Sequence, residues 1–155
     1  MDVLQALNYD PETGLFTWAV STNKKVKVGD IAGSVNKKTG YVEIRLKGVM
    51  YYGHRLAFLF MTGSMPKRVD HKDNVRHNNV WSNLREATAK QNSQNSKIYS
   101  NNTSGVKGVN WEISRKRWRA ECCGKFLGYF IFKEVADAVV TSYRETQHGE
   151  FANHG

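Results

Sequence analysis

An Asp-His pair at Asp70 and His71 is followed closely by a cluster of asparagines, in a chain with far more basic than acidic residues. These residue types can hydrolyse a phosphodiester, which requires an activated water and a group that neutralises charge on the leaving oxygen. A neutral imidazole, with an unperturbed pKa of about 6.5, can accept the proton of the water near neutral pH. Carboxylate and amide oxygens are ligands of hard divalent cations, and an oxygen set without sulfur favours Mg²⁺ or Mn²⁺ over Zn²⁺.

The elements that would position these side chains can be predicted from the local sequence. Residues 69–71 form a brief extended run, residues 73–79 have the Asp, Asn and His content of a loop, and residues 84–87 can return as a second strand. A capping box at Thr88 and Gln91 predicts the start of a helix. The expected order is therefore strand, loop, strand and helix, with Asn92 one turn inside the helix.

Other interpretations remain open at this point. The Asp-His pair could equally belong to a hydrogen-bonded turn, and adjacent strand residues point to opposite faces, so a shared site requires a departure from regular extension. Asn95 shares a helix face with Asn92, and geometry alone does not choose between them. His77, in the loop, is expected in a turn or at a phosphate, and His54 is expected to be structural or to contact the DNA backbone.

The segment resembles the ββα-metal site of HNH endonucleases, in the phage-type branch where Asn replaces the final His. The matching pieces, in order, are HRL at 54–56, VDH at 69–71, NNVWSNL at 78–84, REAT at 85–88 and KQN at 90–92. The resemblance implies that His71 is the general base, that Asp70 and Asn92 hold one Mg²⁺ or Mn²⁺ ion, and that Asn83 ties the loop to the helix. It also suggests a phage or prophage product that acts in the bacterial cytoplasm.

The composition agrees with a polyanionic partner. The net charge is +9, which favours nucleic acid or an anionic surface, and residues 54–96 carry seven basic but only three acidic residues. Lys67, Arg68 and Arg76 are the expected phosphate-binding residues of this region. No apolar run is long enough for a membrane span, and the amino terminus lacks the pattern of a signal peptide. Cys122 and Cys123 are adjacent without a CxxC pattern, which argues against a zinc site and favours strand packing in a reducing compartment.

The remaining sequence predicts sheets on both sides of this unit. Residues 1–14 are expected to be a lead-in that ends in a turn, and residues 15–20, 30–35, 41–46 and 49–52 are expected strands. Residues 54–61 predict an apolar helix. After a Ser- and Asn-rich stretch, residues 105–113, 117–123 and 125–130 predict three strands, and an amphipathic helix follows from 133 to about 147.

The last part of the chain resembles the plant ethylene-response-factor (APETALA-type) DNA-binding domain, which also occurs fused to phage HNH nucleases. The matching pieces are SGVKGVNW at 104–111, KRWRA at 116–120, LGYF at 127–130 and HGEFA at 148–152. In that family the sheet lies in the major groove. The resemblance therefore implies DNA contacts from Lys107, Trp111, Arg115, Arg117, Arg119 and Lys125. If Trp118 belongs to the core, strand alternation makes Arg117 and Arg119 the readers of bases.

These observations predict an α+β protein. Residues 1–96 would form an HNH domain (a β-rich brace, 1–53, and a ββα-metal unit, 54–96), residues 97–104 a linker, and residues 105–155 an ethylene-response-factor-like domain. The expected activity is metal-dependent cleavage of double-stranded DNA, with one strand nicked per active site, by a monomer or homodimer without a small-molecule cofactor. A non-catalytic DNA-binding regulator is the alternative; an RNA-directed protein is less favoured, because the deep, narrow major groove of RNA does not admit a sheet.

Overall fold

The structure, a computed structural model, describes residues 2–155 of the chain and is a mixed α+β fold, as the sequence predicted. The helices within these residues are α1 (Val3–Ala6), α2 (Gly53–Thr62), α3 (Ala89–Gln94) and α4 (Lys133–His148). The strands are β1 (Leu7–Tyr9), β2 (Phe16–Trp18), β3 (Ser34–Val35), β4 (Val42–Leu46), β5 (Val49–Tyr52), β6 (Val69–His71), β7 (Leu84–Glu86), β8 (Val109–Glu112), β9 (Arg117–Cys122) and β10 (Lys125–Phe130). Short 3-10 turns occupy Trp81–Asn83 and Gly149–Phe151.

The chain packs as two compact units, one that ends at Thr88 and one that spans Ala89–Gly155. The first contains α1, α2 and β1 to β7, and the second contains α3, α4 and β8 to β10. The division falls before α3, whereas the sequence predicted a domain boundary after residue 96 and a linker over 97–104. The domain boundary after residue 96 and the linker over 97–104 remain predictions. The two units are described separately below.

The first unit begins with a hairpin that the sequence did not predict. Residues 1–14 were expected to be a lead-in, but α1 is followed directly by β1, which pairs antiparallel with β2 from Leu7 opposite Trp18 to Tyr9 opposite Phe16. Leu7, Phe16 and Trp18 are buried in the core of the unit. Burial of these three apolar side chains stabilises the hairpin. Strand β1 is too short for a sequence pattern to predict it.

The second sheet of this unit has the order β3-β4-β5, and its hairpin confirms the prediction for residues 41–52. Lys47 and Gly48 form the connection with φ values of 49° and 82°. Two successive positive φ angles are what a two-residue hairpin turn requires, and glycine adopts the second without strain. The strand expected over 30–35 is reduced to Ser34–Val35 and an isolated bridge between Ile31 and Thr17.

Helix α2 confirms the apolar helix predicted at residues 54–61. Leu56 and Ala57 are fully buried in the same core as the first hairpin. The helix ends at Gly63, which has a φ of 72° and donates its backbone N–H to the Leu59 carbonyl at 3.0 Å. This left-handed glycine cap satisfies a carbonyl that the helix would otherwise leave unpaired.

Strands β6 and β7 confirm the two short strands predicted around the Asp-His pair, and they form a separate antiparallel ribbon. The register places Val69 opposite Glu86, Asp70 opposite Arg85 and His71 opposite Leu84. Val69 and Leu84 are buried in the core, so the apolar ends of both strands anchor the ribbon.

The second unit is a three-stranded antiparallel sheet of order β10-β9-β8 with α4 against one face, as the sequence predicted. Val109 and Ala120 of the sheet pack with Ala136 and Val140 of α4, and all four are fully buried. A bulge between Phe126 and Gly128 interrupts the register of β9 and β10. The bulge changes the alternation of side chains between the two faces of β10. It therefore determines the face of the sheet on which the residues after the bulge lie.

Candidate active site

The carboxylate of Asp70 is buried and held by a facing arginine. Asp70 is 4% exposed, and its Oδ2 accepts hydrogen bonds from Arg85 Nε at 2.8 Å and from the Arg85 terminal nitrogen at 2.7 Å. Arg85 lies directly opposite on β7, so the register of the ribbon creates this ion pair. The pair fixes the orientation of the carboxylate, and a carboxylate offers about four lone-pair sites, more than Arg85 uses.

The imidazole of His71 is also buried, at 5% exposure, at the end of the same strand. Its Nε2 lies 3.2 Å from Asn79 Oδ1. An amide oxygen is only an acceptor, so this contact is a hydrogen bond in the tautomer that carries the proton on Nε2 and has Nδ1 as the basic nitrogen of the neutral ring. Burial lowers the pKa of His71, and the Asn79 hydrogen bond and the Asp73 and Asp70 charges offset only part of this effect.

Sequence reasoning missed Asn79, which lies in the loop between the two strands and is 1% exposed. Its backbone carbonyl accepts a hydrogen bond from the Tyr9 hydroxyl at 2.8 Å. Glycines allow the close approach, because a Cβ on Gly14 would lie 2.4 Å from the Asn79 backbone and one on Gly53 would lie 2.6 Å from Asn79 Nδ2. The first hairpin and the start of α2 therefore position the residue that orients His71.

The side-chain Nδ2 of Asn79 is buried and has no hydrogen-bond partner among the residues that the structure describes. An unsatisfied buried amide donor costs on the order of 1–3 kcal/mol, and such a cost is tolerated where the group has another role. In this protein that role is the contact of Asn79 Oδ1 with His71. The signal in the sequence was the second Asn of the NNV piece, which spacing alone does not assign.

A group of rings surrounds His71 and includes the second buried histidine. The centroid of His54 lies 5.3 Å from that of His71 and 4.9 Å from that of Tyr41, and Tyr52 stacks on His54 at 5.6 Å. Burial, reinforced by the neighbouring His71 and Arg55, lowers the pKa of His54 to about 3. His54 is therefore neutral at physiological pH. Of the two roles expected for it, structural or in contact with the DNA backbone, this agrees with the structural one.

Asn83 closes the loop between the two strands upon itself. Its Nδ2 donates to Asp73 Oδ1 at 3.0 Å and to the Asn78 carbonyl at 2.9 Å, while its Oδ1 accepts from the Asp73 backbone N–H at 3.1 Å. Burial raises the pKa of Asp73, but hydrogen bonds from Val75, Asn78 and Asn83 outweigh it and hold the pKa below its usual value. The expected tie from Asn83 to the helix is corrected: its hydrogen bonds remain within the loop.

Asn92 and Asn95 differ in their surroundings on α3, in the second unit. Asn92 is exposed. Asn95 is 2% exposed, and its Oδ1 accepts a hydrogen bond from Asn153 Nδ2 at 3.2 Å. The amide oxygen of Asn95 is thus used within the second unit, whereas the side chain of Asn92 faces solvent. The assignment of Asn92 as the metal ligand, which the resemblance implied, remains a prediction.

The basic residues expected to bind phosphate in the first unit have two kinds of surroundings. Lys67 and Arg68 are exposed just before β6. Arg76 is also exposed, but it donates to the Thr39 carbonyl at 3.0 Å and lies 5.2 Å from the centroid of the Tyr41 ring. Lys67 and Arg68 are therefore more available to a phosphate than Arg76 is.

The second unit has a face of arginines and aromatic rings on the side of the sheet away from α4. Arg119 lies opposite Tyr129 on β10, and Arg115 lies over the Tyr129 ring at 4.9 Å from its centroid. Arg117 is exposed and shares this face with Arg119 by strand alternation, and Arg119 forms an ion pair with Glu121. Trp118 lies on the other face and packs against the core. A core position of Trp118 was the condition under which the sequence assigned Arg117 and Arg119 as the residues that read bases. We call Arg115, Arg117, Arg119, Phe126 and Tyr129 the basic-aromatic face.

Three other residues that the resemblance predicted to contact DNA do not lie on this face, and their DNA contacts remain a prediction. Trp111 pairs with Trp118 and contacts its ring at 5.1 Å, on the side of α4. Lys125 lies opposite the buried Cys122 and places its ammonium 5.1 Å from the centroid of Tyr143 of α4. Lys107 donates to the backbone carbonyls of Gln94, Ser96 and Asn153, which engages all three of its N–H groups. Strand register and internal hydrogen bonding separate these residues from the arginines.

Comparisons with known proteins identify a family for part of the chain. Residues 51–94 match the family model HNH_3, described as HNH endonuclease, which supports an HNH-type nuclease. Protein 3.8 of Escherichia phage T7 is 36% identical over 95 residues, which cover 58% of this chain and 78% of that protein. The chain belongs to the same family as this phage protein. No solved structure matches the chain, and no helix in the described residues has the length and apolar character to cross a membrane.

Proposed function

We propose that this protein is a metal-dependent endonuclease that hydrolyses double-stranded DNA, with His71 as general base. The observation that carries the proposal is the contact of His71 Nε2 with Asn79 Oδ1, within the segment that matches the HNH family. The contact supports the tautomer in which Nδ1 is unprotonated, the form that a general base requires. The intact Asp70, His71, Asn83 and Asn92 set supports the same conclusion.

The donors on this chain fit a hard divalent cation. Asp70 is oriented by Arg85, and Asn92 is an exposed amide, so together they would hold Mg²⁺ or Mn²⁺ through oxygen and leave positions for water and phosphate. When bound, such an ion supplies Lewis-acid stabilisation of charge on the phosphate and the leaving oxygen.

The protein residues then perform the proton transfer and the positioning. His71 Nδ1 accepts a proton from a water, whose oxygen attacks phosphorus while the bond to the 3′ oxygen breaks. The 3′ oxygen takes up a proton from solvent water as it leaves, so the products are a 5′-phosphate and a 3′-hydroxyl. Because each chain has one such site, a nick in one strand is the expected product of a monomer, and a homodimer could cut both strands.

We infer that the second unit binds DNA through the basic-aromatic face, in the manner of the ethylene-response-factor-like sheet that the sequence resembles. Arg117 and Arg119 are the candidates for base contacts, because arginine can engage guanine through two hydrogen bonds. Lys67 and Arg68 would bind backbone phosphate near the cut. The phage relative supports a phage or prophage product that acts in the cytoplasm of a bacterial host.

A non-catalytic DNA-binding regulator is the second candidate, and the burial of His71 favours it. An imidazole that is 5% exposed reaches water less readily than a general base on an open surface. In that case the basic-aromatic face would perform the function, and the ribbon of β6 and β7 would serve as a structural support.

Cleavage of a supercoiled plasmid in the presence of Mg²⁺ distinguishes the two candidates. The nuclease converts supercoiled to relaxed DNA, EDTA prevents this, and His71→Ala abolishes it while DNA binding in a gel-shift assay is retained. The exposed His77 provides the matched control, since His77→Ala should cleave normally. If the native protein binds DNA but relaxes no plasmid with Mg²⁺ or Mn²⁺, the regulator is correct.

A further inference from the structure

The two cysteines and the last histidine of α4 converge within the second unit. Cys122 ends β9, Cys123 begins the turn to β10, and His148 is the last residue of α4. Cys123 Sγ lies 2.8 Å from His148 Nε2 and 3.5 Å from Cys122 Sγ, and the ligand atoms all lie within 4.8 Å of one another. The sequence argued against a zinc site because the two cysteines lack a CxxC pattern. His148 is 25 residues from Cys123, and only the fold brings them together.

The backbone of the turn makes this convergence possible. Neighbouring strand residues point to opposite faces, but Cys123 has a φ of 56° and therefore does not continue the strand. Its side chain turns back toward Cys122, so both sulfurs face the end of α4. Asn or Gly is the usual residue in such a left-handed turn position, and Cys is accommodated there at a cost on the order of 1–3 kcal/mol.

We propose that Cys122, Cys123 and His148 bind a thiophilic metal ion, Zn²⁺ by its coordination preference, at a site separate from the nuclease centre. Two sulfurs and one imidazole nitrogen are a ligand set of zinc proteins. Zn–S and Zn–N bonds of about 2.3 and 2.0 Å place tetrahedral ligand atoms roughly 3.3–3.8 Å apart. The observed Sγ–Sγ separation falls in that range, and the 2.8 Å Sγ–Nε2 contact requires a small widening.

The surroundings leave room for a fourth ligand and have a suitable charge. The cluster borders a cavity of about 450 Å³ whose lining also includes Ser93, Lys107 and Arg144. Two thiolates balance the charge of Zn²⁺. Lys107 and Arg144 are themselves occupied, since Lys107 donates to three carbonyls and Arg144 donates to the Lys107 carbonyl. A water in the cavity would complete the tetrahedron.

The bound ion would connect the end of the sheet to the end of α4. Cys122 and Cys123 lie at one end of the β9–β10 hairpin, and His148 lies at the carboxyl end of the helix that packs on it. A metal that bridges them stabilises the folded state of the second unit, because the unfolded chain does not hold the three ligands together. The role is structural, and it does not depend on the oxygen ligands of the nuclease site.

The test is a titration of the full chain with Co²⁺ in a non-chelating reductant. One equivalent should produce the absorption bands of tetrahedral Co²⁺ and a sulfur-to-metal charge-transfer band, and Zn²⁺ should remove both. The charge-transfer band reports thiolate ligation and is not expected from the oxygen ligands of the nuclease site. Absence of this band in the reduced native protein would overturn the proposal.

Variants separate ligation from folding. Cys123→Gly suits the left-handed turn, so without metal it should unfold at an equal or higher temperature than the native chain, yet lose the charge-transfer band and the rise in melting temperature with Zn²⁺. His148→Gln should also lose both responses. The control His77→Gln, at an exposed loop position, should retain them. Retention of the metal response in Cys123→Gly would exclude this site.

Discussion

His71 and Asn79 are joined across the loop between β6 and β7, with His71 Nε2 3.2 Å from Asn79 Oδ1. The contact links the proposed general base to a residue that the first hairpin and α2 hold in place. It orients the imidazole ring, and so connects the packing of the first unit to the proposed chemistry of His71.

Asn79→Ala is expected to lower the turnover number for plasmid nicking by roughly 10- to 100-fold, the usual effect of the loss of an orienting partner. The affinity for DNA should not change, because the side chain of Asn79 is buried. Single-turnover rates and gel-shift affinities measure the two quantities. The exposed Asn101→Ala is the control, and an unchanged rate in Asn79→Ala would remove this residue from the mechanism.

The pKa of His54 predicts how stability depends on pH. Its pKa is about 3 in the folded protein against 6.5 when unperturbed, so the unfolded chain binds a proton that the folded chain excludes. The resulting stability is fully present above about pH 6.5 and falls by about 1.4 kcal/mol per unit as the pH decreases toward 3. Urea denaturation across this range should show the loss. His54→Phe should reduce the slope by one proton, and an identical slope in both proteins would contradict the assignment.

Arg85→Met should destabilise the first unit by about 3–5 kcal/mol, because it leaves the buried Asp70 carboxylate without its guanidinium partner. The free energy of unfolding in urea measures the effect. Arg45→Met, at an exposed position, should change stability by less than about 0.5 kcal/mol. Adding Asp70→Asn to Arg85→Met should recover part of the loss; no recovery would show that the charge pair is not the cause.

Arg117→Gln and Lys125→Gln provide a matched pair, since each removes one exposed charge from the same sheet. Arg117 belongs to the basic-aromatic face, so its loss should weaken DNA binding and reduce the slope of log affinity against log salt by about one. Lys125 lies toward Tyr143 of α4, and its loss should leave both quantities nearly unchanged. Equal effects from the two variants would show that binding does not follow this face.

Local sequence patterns predicted much of the architecture. The turn at Lys47-Gly48, the apolar helix with its cap at Gly63, the short strands around Asp70 and His71, and the three strands with α4 all depend on spacing, alternation and turn residues. Strand β1 was not predicted, because three residues are too few to show an alternating pattern. It is stabilised by the tertiary burial of Leu7.

The sequence by itself determined the types of catalytic residue, their order and the basic character that suits DNA. Only the tertiary structure decided which atoms meet: Arg85 against Asp70, Asn79 against His71, and His148 against Cys122 and Cys123. The same is true of the separation of Lys107, Trp111 and Lys125 from the arginine face. The physical reason is that spacing in the chain fixes only local periodicity, whereas strand register, positive-φ turns and close packing at glycine set the distances between side chains remote in sequence.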